Sequence, residues 1–341
     1  MNPQPTTQNP KPLVNILTID VEDYFQVSAF EAVSPPSSWP ERELRVEGNT
    51  DRILGLLADR GVHATFFVLG WVAERCPGLV ARIARAGHEV ASHGNGHRRV
   101  YNQTRDEFRE DLRRSKALLE DQSGQPVLGY RAPSYSISQG CLWAFDELVE
   151  AGFVYDSSVF PIRHDLYGMP DWPRFPFAVE RLEDGNWVPA ERGCSESQVV
   201  STEFDRNPKP KTQNPKPKTD LLELPITTLQ LFGHNLPIAG GGYFRLFPYA
   251  FTRWGLRRIN RLDGQPFVFY LHPWELDPEQ PRMRGAGFKS RFRHYLNLRK
   301  TELRFGRLLD DFQFSPIRNV VSELPGLSAS QLPSSAAGGS A

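Results

Sequence analysis

The sequence predicts an α/β barrel, a parallel sheet surrounded by helices. From residue 13 onward, short apolar segments typical of buried strands alternate with amphipathic segments typical of helices. Polar residues collect directly after several predicted strands, and a β/α barrel builds its active site at that end of its strands. A doubly wound nucleotide-binding sheet needs a glycine-rich turn after its first strand, whereas DVEDYF stands there. The pattern therefore favours a barrel.

The individual elements follow from apolar periodicity and from residues that end helices. The predicted strands lie at 13–19, 63–69, 88–92, 126–132, from 153, 221–227 and 267–272. The predicted helices lie at 49–60, after 69 up to 86, 104–121, 138–151, 249–262 and about 291–311. Gly61, Gly87 and Gly152 stand just past helix ends, and Thr104 with Glu107 has the spacing of a capping box.

Composition excludes several classes of protein. Among 341 residues, 40 Lys and Arg balance 40 Asp and Glu, so no overall field favours nucleic acid or an anionic membrane. No apolar run approaches the about 20 residues of a membrane span. The first twelve residues lack the apolar core of a signal peptide. Three scattered cysteines suit a reducing compartment, so we expect a cytoplasmic protein.

One folded domain is predicted, with polar tails on both sides. We expect the barrel over 13–323 and disordered tails at 1–12 and 324–341, which are rich in Pro or in Ser, Ala and Gly. Within the domain, the Lys- and Pro-rich stretch at 205–220 cannot build a core. We therefore expect a flexible, solvated insertion there.

Two histidines four residues apart form the most informative motif, Ser-His-Gly-Asn-Gly-His at 92–97. His93 and His97 follow a predicted strand, and neutral imidazoles are common zinc ligands. Gly94 and Gly96 let the backbone bend so that the two rings face each other, and they exclude a helical metalloprotease arrangement. Alone, the pair is equally compatible with a turn that carries two surface histidines.

Three carboxylates stand within four residues after the first predicted strand: Asp20, Glu22 and Asp23. Like charges this close favour a bound cation or a raised pKa. Strand alternation puts Asp20 and Glu22 on one face, whereas a turn would bring Asp23 back beside Asp20. Two imidazoles and one carboxylate make a catalytic zinc set, and a second carboxylate can serve as general base. A solvated turn or helix cap is the alternative.

Two more polar segments follow predicted strands. The rigid guanidinium of Arg131 can orient a carboxylate, and Pro133 stiffens the turn that presents Tyr135. His272 ends the last strong strand, a position that suits a general acid. A surface arginine and a satisfied core histidine are the alternatives for Arg131 and His272.

These segments, in this order, resemble the motifs of the NodB-homology polysaccharide deacetylases, carbohydrate esterase family 4. The motifs are TIDVEDYF at 18–25, SHGNGH at 92–97, RAPSY at 131–135 and YLHP at 270–273. Two further segments resemble the subgroup found with exosortase-linked exopolysaccharide gene clusters: GFVYDSSVFP at 152–161 and GGGYFRLFP at 240–248. The likeness extends from residue 13 to about 320.

The resemblance implies a distorted (β/α) barrel of about seven strands and an N-deacetylase mechanism. Asp20 would be the general base toward the attacking water, held in place by Arg131, and His272 would protonate the leaving amine. A backbone N–H at Tyr135 would stabilise the oxyanion. Asp156 would tune His272 or Arg131.

The same resemblance implies that His93 and His97 bind a divalent metal with one acidic partner. The family places two aspartates side by side, whereas Asp20 is followed by Val21. A spacing of two favours Glu22 as the ligand and a turn favours Asp23, so both remain candidates. Zinc is the expected metal, although two histidines and a carboxylate also suit iron, cobalt or nickel.

Three functions are compatible with these residues. The leading hypothesis is a metal-dependent hydrolase that removes N-acetyl groups from the N-acetylated sugars of a bacterial exopolysaccharide or its precursor. A cytoplasmic enzyme would reach lipid-linked or nucleotide-linked precursors at the inner membrane face. The alternatives are hydrolysis of a small non-sugar amide or cyclic imide, and a non-catalytic glycan-binding scaffold. The sequence leaves the sugar and the oligomeric state open.

Overall fold

The structure is a computed structural model that describes residues 13–164, 167–190 and 221–321. The predicted tails at 1–12 and 324–341 and the predicted insertion at 205–220 lie outside the described residues.

Parallel strands and surrounding helices alternate along the chain, as the sequence predicts. The strands are β1 Val14–Val21, β2 Thr65–Val68, β3 Glu89–Ser92, β4 Gly129–Tyr130, β5 Tyr155–Asp156, β6 Phe177–Arg181, β7 Trp187–Pro189, β8 Leu221–Glu223, β9 Thr228–Leu231, β10 His234–Pro237, β11 Val268–Leu271 and β12 Gln313–Ser315. The helices are α1 Val46–Ala58, α2 Gly70–Arg75, α3 Pro77–Arg85, α4 Arg105–Ser123, α5 Ala144–Glu150, α6 Gly241–Leu246, α7 Tyr249–Arg258, α8 Phe288–Tyr295, α9 Leu298–Asp311 and α10 Ile317–Val321.

The central sheet has the order β11-β1-β2-β3-β4-β5-β8, and every neighbouring pair in this series is parallel. Within the described residues no backbone ladder joins β8 to β11. The two ends nevertheless meet, because the Val268 N–H donates to the Thr227 hydroxyl at 2.7 Å. The antiparallel strands β6 and β7 extend the sheet from β8, and β12 pairs with β1. The predicted α/β class is confirmed, with seven parallel strands arranged as a distorted barrel.

Strand register explains why distant polar residues meet at one end of the sheet. One row of directly paired residues crosses six strands: Val21, Val68, Ser92, Tyr130, Asp156 and Glu223. The residues that follow three members of this row are Glu22, His93 and Arg131. On the other side of β1, Ile19 pairs with Leu271, so His272 emerges level with Asp20.

The first strand separates two apolar layers. Leu17, Ile19 and Val21 belong to the core between the sheet and its helices. Ile16 faces the barrel interior and packs in a second cluster that includes Phe67 of β2. Because side chains alternate along a strand, Thr18 and Asp20 share the inner face with Ile16. The catalytic carboxylate that the sequence predicts is therefore buried inside the barrel.

Two predicted helices are each divided in the structure. The segment up to 86 forms α2 and α3, because Pro77 cannot continue a helix and instead starts α3 at its first turn. The segment near 291–311 forms α8 and α9, separated where Asn297 adopts a left-handed conformation with φ 55°. The strands β6, β7, β9, β10 and β12 were not predicted, because each has only three to five residues and few of these are buried. Every helix in the described ranges is too short or too polar to cross a bilayer.

The predicted capping box of α4 is present. The Thr104 hydroxyl accepts from the Glu107 N–H at 3.2 Å, and the Glu107 carboxylate accepts from the Thr104 N–H at 2.8 Å. Thr104→Ala should lower the free energy of unfolding by about 1 kcal/mol, because one end of this reciprocal pair is lost. Chemical denaturation measures the change. The exposed Asp121→Ala in the same helix is the control, and an equal effect of both substitutions would contradict the capping role.

Candidate active site

A buried ion pair organises the centre of the site. Arg131 Nη1 donates to Asp20 Oδ1 at 2.6 Å and to the Thr18 hydroxyl at 2.8 Å. Its Nε and Nη2 donate to the carbonyl and hydroxyl of Ser157, at 3.1 and 2.8 Å. The guanidinium also lies over the Phe67 ring. The structure therefore brings Arg131 and Asp20 together, as the resemblance implied, and leaves Asp20 Oδ2 directed toward His272 at 3.8 Å from its Nε2.

Glu22, His93 and His97 form a compact set of metal-ligating side chains. One ligand atom from each lies within 4.8 Å of the other two. Glu22 Oε2 is 2.6 Å from His97 Nε2, but it is buried and has no hydrogen-bond donor with suitable geometry among the described residues. Burial raises the pKa of Glu22, but the neighbouring imidazoles of His97, His272 and His93 outweigh burial and hold it at about 2. The carboxylate is therefore anionic and available to a cation.

The tautomer of His93 suits a ligand. Its Nδ1 lies 2.8 Å from the Arg131 carbonyl oxygen, so Nδ1–H donates there and the Nε2 lone pair remains free. Burial lowers the pKa of His93 to about 4, so the ring is neutral at physiological pH. A neutral, oriented imidazole is the form that binds zinc.

The loop between the two histidines is held by a residue that sequence reasoning missed. Asp111 of α4 accepts from the Asn95 N–H at 2.8 Å and from the Gly96 N–H at 3.1 Å. Gly94 has φ 74°, and a Cβ there would lie 2.8 Å from an Asp111 oxygen. The glycine is therefore required by both backbone conformation and close approach. A helical acidic residue gives no sequence signal for this role.

Asp23, the alternative acidic ligand, is not part of the cluster. Its Oδ2 accepts from the backbone N–H groups of Arg45 and Val46 at the start of α1, at 2.7 and 2.9 Å, and its Oδ1 accepts from the Tyr24 N–H. Burial raises the pKa of Asp23 to about 6 although these donors lower it. The chain turns after Glu22, so Asp23 caps a helix and Glu22 is the residue that meets the histidines.

His272 is held by a partner that the sequence did not indicate. Its Nδ1 lies 2.7 Å from Glu275 Oε1, and Glu275 Oε2 accepts from Arg245 Nε at 2.6 Å. Burial opposes a charge on His272, but Glu275, Glu22 and Asp20 outweigh it and raise its pKa to about 9. Burial likewise opposes the charge of Glu275, and Arg245 and His272 together lower its pKa. The signal available in the sequence was the three-residue spacing of His272 and Glu275.

A stack of rings covers one side of the site. His272 stacks on Trp274 at 5.3 Å between ring centroids, and Trp274 stacks on the buried His294 at 4.1 Å. Trp274 Nε1 lies 3.4 Å from Glu22 Oε1. The rings limit the access of water to His272 and restrict its orientation.

Tyr135 lies beside the ion pair, but its backbone N–H is already used. That N–H donates to the Ala132 carbonyl at 3.0 Å, so the role of oxyanion donor that the resemblance implied is not available in this conformation. Ser134 and Tyr135 both have φ 55°, an uncommon conformation for residues with a side chain. The Tyr135 ring packs against Tyr270 at 5.4 Å and forms one wall of the site.

Asp156 does not tune His272 or Arg131 by contact. Its Oδ1 accepts from the Ser158 hydroxyl at 2.6 Å, and β5–β8 pairing puts it opposite Glu223. Burial raises the pKa of Asp156 to about 6, and burial beside Asp156 raises that of Glu223 well above its usual range. Asp156 therefore belongs to the row of paired strand residues that lies just below the site, and it is not part of the site itself.

A cleft of about 170 Å³ opens beside His97, and most of the residues that line it are polar. Its walls include Gln26, Ser28, Trp39 and the ion-paired Glu31 and Arg99. Hydroxyl-rich ligands match such a lining, because several donors and acceptors surround one aromatic surface.

Two family models match separate parts of the chain. The polysaccharide deacetylase model matches residues 38–148, which include both histidines, Arg131 and Tyr135. A domain of unknown function, DUF3473, matches residues 197–322, which include His272 and Glu275. The site is therefore built from both matched segments together with β1, which precedes them.

Curated relatives carry deacetylase names. A peptidoglycan-N-acetylglucosamine deacetylase of Bacillus cereus is 33% identical over 99 residues, which are 29% of this chain and 36% of the relative. A second from the same organism is 30% identical and is covered over 47% of its length, so the chain spans less than half of either. A chitooligosaccharide deacetylase of Sinorhizobium fredii is 28% identical over 45% of this chain and 70% of its own.

A solved structure of a provisionally assigned polysaccharide deacetylase from Mycobacterium smegmatis matches 91% of this chain and 92% of its own, with 20% identity and a TM-score of 0.49. That likeness carries no information about activity. The family models and the curated relatives confirm the resemblance drawn from the motifs. Residues 38–148 therefore carry a polysaccharide deacetylase domain, the NodB-homology type that the motifs resemble.

Proposed function

We propose that this protein is a metal-dependent N-deacetylase of N-acetylated sugars. The observation that carries the proposal is the arrangement of two proton-transfer groups around one set of metal ligands. Asp20 Oδ2 and Glu22 Oε1 lie 3.8 and 3.5 Å from His272 Nε2. Arg131 holds Asp20, and Glu275 holds His272. A base, an acid and a cation site within one pocket suit hydrolysis of an amide.

Glu22, His93 and His97 would hold the metal. Three properties support the fit. The buried Glu22 Oε2 makes no hydrogen bond of suitable geometry among the described residues, although His97 Nε2 lies 2.6 Å away. His93 presents a free Nε2, and the ligand atoms are close together. This donor set suits zinc first, and also iron, cobalt or nickel. When bound, the cation supplies Lewis-acid polarisation of the acetamide carbonyl and stabilises developing negative charge.

The two proton transfers follow from the positions of the side chains. Asp20 Oδ2 accepts a proton as water adds to the acetamide carbon, while Arg131 keeps Oδ1 fixed. His272 carries a proton on Nε2 at neutral pH, because its pKa is raised to about 9. That proton passes to the amine nitrogen as the C–N bond breaks. The products are acetic acid, which ionises to acetate in solution, and a free amino sugar. The proton that Asp20 took from water then replaces the one that His272 gave up, which restores both side chains.

The substrate class is part of the proposal. The relatives named for peptidoglycan-N-acetylglucosamine and chitooligosaccharide support a sugar that carries an N-acetyl group. The segments at 152–161 and 240–248, which resemble the exopolysaccharide-linked subgroup, support a bacterial exopolysaccharide or its precursor as the glycan. The polar cleft beside His97 supplies donors and acceptors for hydroxyl groups.

Acetate release from N-acetylglucosamine oligomers tests the reaction. Zinc-loaded protein should release acetate, and Asp20→Asn should reduce kcat by about 10²–10⁴-fold because the general base is lost. Removal of the metal with a chelator should abolish release. The exposed Asp121→Asn is the matched control. Full activity of Asp20→Asn would contradict the assignment of the base, and absence of release from all N-acetylhexosamine glycans would contradict the substrate class.

Metal affinity separates Glu22 from Asp23. Glu22→Gln should weaken zinc binding by about tenfold or more, because an anionic ligand is lost. Asp23→Asn should retain zinc binding but lower the free energy of unfolding by about 1–3 kcal/mol, because backbone donors at the start of α1 lose an acceptor. Competition with a chromophoric chelator and chemical denaturation give the two quantities. The reverse pattern would make Asp23 the ligand.

The pH dependence of kcat/KM tests the partner of His272. Activity should decline as pH rises through the pKa of His272, about 9, because the acid loses its proton. Glu275→Gln removes the anion that favours imidazolium and should move this decline to lower pH by about one unit or more. Glu279→Gln, an exposed substitution nearby, is the control. An unchanged alkaline limb in Glu275→Gln would exclude Glu275 as the positioning residue.

A further inference from the structure

The segment around α8 concentrates positive charge in a chain that has no net charge. Residues 280–301 contain no Asp or Glu and seven exposed basic residues: Arg282, Arg284, Lys289, Arg291, Arg293, Arg299 and Lys300. Among the described residues, Arg299 has a carboxylate at 3.9 Å, on the exposed Glu279, and the other six cationic groups have none within 4 Å. This charge is therefore free to interact with a partner outside the molecule.

Two phenylalanines on α8 face solvent within this basic segment. Phe288 is 86% exposed and Phe292 is 53% exposed, and their rings lie 6.3 Å apart because the residues are one helical turn from each other. Exposed adjacent aromatic rings are costly in water and usually mark an interaction surface. Basic residues around aromatic anchors are typical of helices that lie in a membrane interface.

The opposite face of α8 is packed on the active site. The buried His294 stacks on Trp274, which in turn stacks on His272. Arg245, the partner of Glu275, donates through Nη1 to the carbonyls of Arg293 and His294, at 3.0 and 2.6 Å. A partner bound to the outer face of α8 would therefore lie at the rim of the site.

We propose that α8 docks this protein on an anionic phospholipid surface, with Phe288 and Phe292 inserted among the lipids and the surrounding basic residues on the headgroups. A soluble anionic glycan would satisfy the charges but not the rings. A ring that is 86% exposed has no walls that could hold a sugar, whereas a bilayer interface needs none. Charge complementarity then favours anionic headgroups.

This binding does not depend on the proposed deacetylase activity. With α8 docked on the membrane and the deacetylase activity present, the site opens beside the bilayer. The substrate is then an N-acetylated glycan carried on a lipid.

Vesicle co-sedimentation of the full chain, with no turnover measured, tests the docking surface. Wild-type protein should bind vesicles of phosphatidylcholine with about one third phosphatidylglycerol, and should bind pure phosphatidylcholine vesicles far less. Phe288→Ala with Phe292→Ala should lower the partition coefficient by about tenfold or more. Phe232→Ala, a substitution at a 98% exposed ring on the β9–β10 turn, should leave it unchanged.

Charge reversal provides a second, independent arm. Lys289→Glu with Arg291→Glu should abolish binding to the anionic vesicles, whereas Arg85→Glu with Arg163→Glu should not. Absence of vesicle binding by the wild type would overturn the proposal, as would equal losses in the control variants. Retention on polygalacturonate without vesicle binding would overturn it too, and would identify a polyanionic glycan as the partner of α8.

Discussion

The buried ion pair between Arg131 and Asp20 is the contact on which the rest of the site depends. Arg131 also bonds Thr18 and Ser157, so one guanidinium joins β1, β4 and the end of β5. Its carbonyl oxygen orients His93, so the same residue positions the proposed base and fixes the tautomer of a proposed metal ligand. Removal of either charge would leave the other buried without a partner, which costs about 3–5 kcal/mol. Loss of Arg131 would therefore disturb folding together with the proposed proton transfer and metal binding.

The acid side of the site is built in the same manner from a different part of the chain. Glu275 and Arg245 hold His272, and Arg245 binds the carbonyls at the end of α8. His272, the proposed general acid, is thereby connected to a helix whose outer face is basic and aromatic. Arg245 therefore connects the residues of the proposed reaction to the helix of the proposed docking surface by direct hydrogen bonds. The net charge of zero over 341 residues did not reveal the local concentration of basic residues around α8, because a sum over the whole chain carries no information about one helix.

Three neighbouring carboxylates illustrate how fold assigns roles to similar residues. Asp20 points into the barrel and meets Arg131, and Glu22 emerges beyond the strand end and meets the histidines. Asp23 lies past the turn and caps α1. Strand alternation puts Asp20 and Glu22 on one face, and their different partners follow from the end of β1 at Val21. Whether Glu22 or Asp23 lies beside the histidines depended on the position of the start of α1, which only the tertiary structure shows.

By itself, the sequence determined the α/β class, the parallel order of strands and the polar residues at their ends. Apolar periodicity and glycines just past the ends of helices are local signals, and the parallel register then brings Glu22, His93 and Arg131 into one row. Only the tertiary structure decided which partners hold these residues. Asp111, Arg245 and Glu275 were missed, and Asp156, which was expected to tune His272 or Arg131, lies opposite Glu223. Partner choice depends on distances between segments remote in the chain, and no local pattern of residue types carries that information.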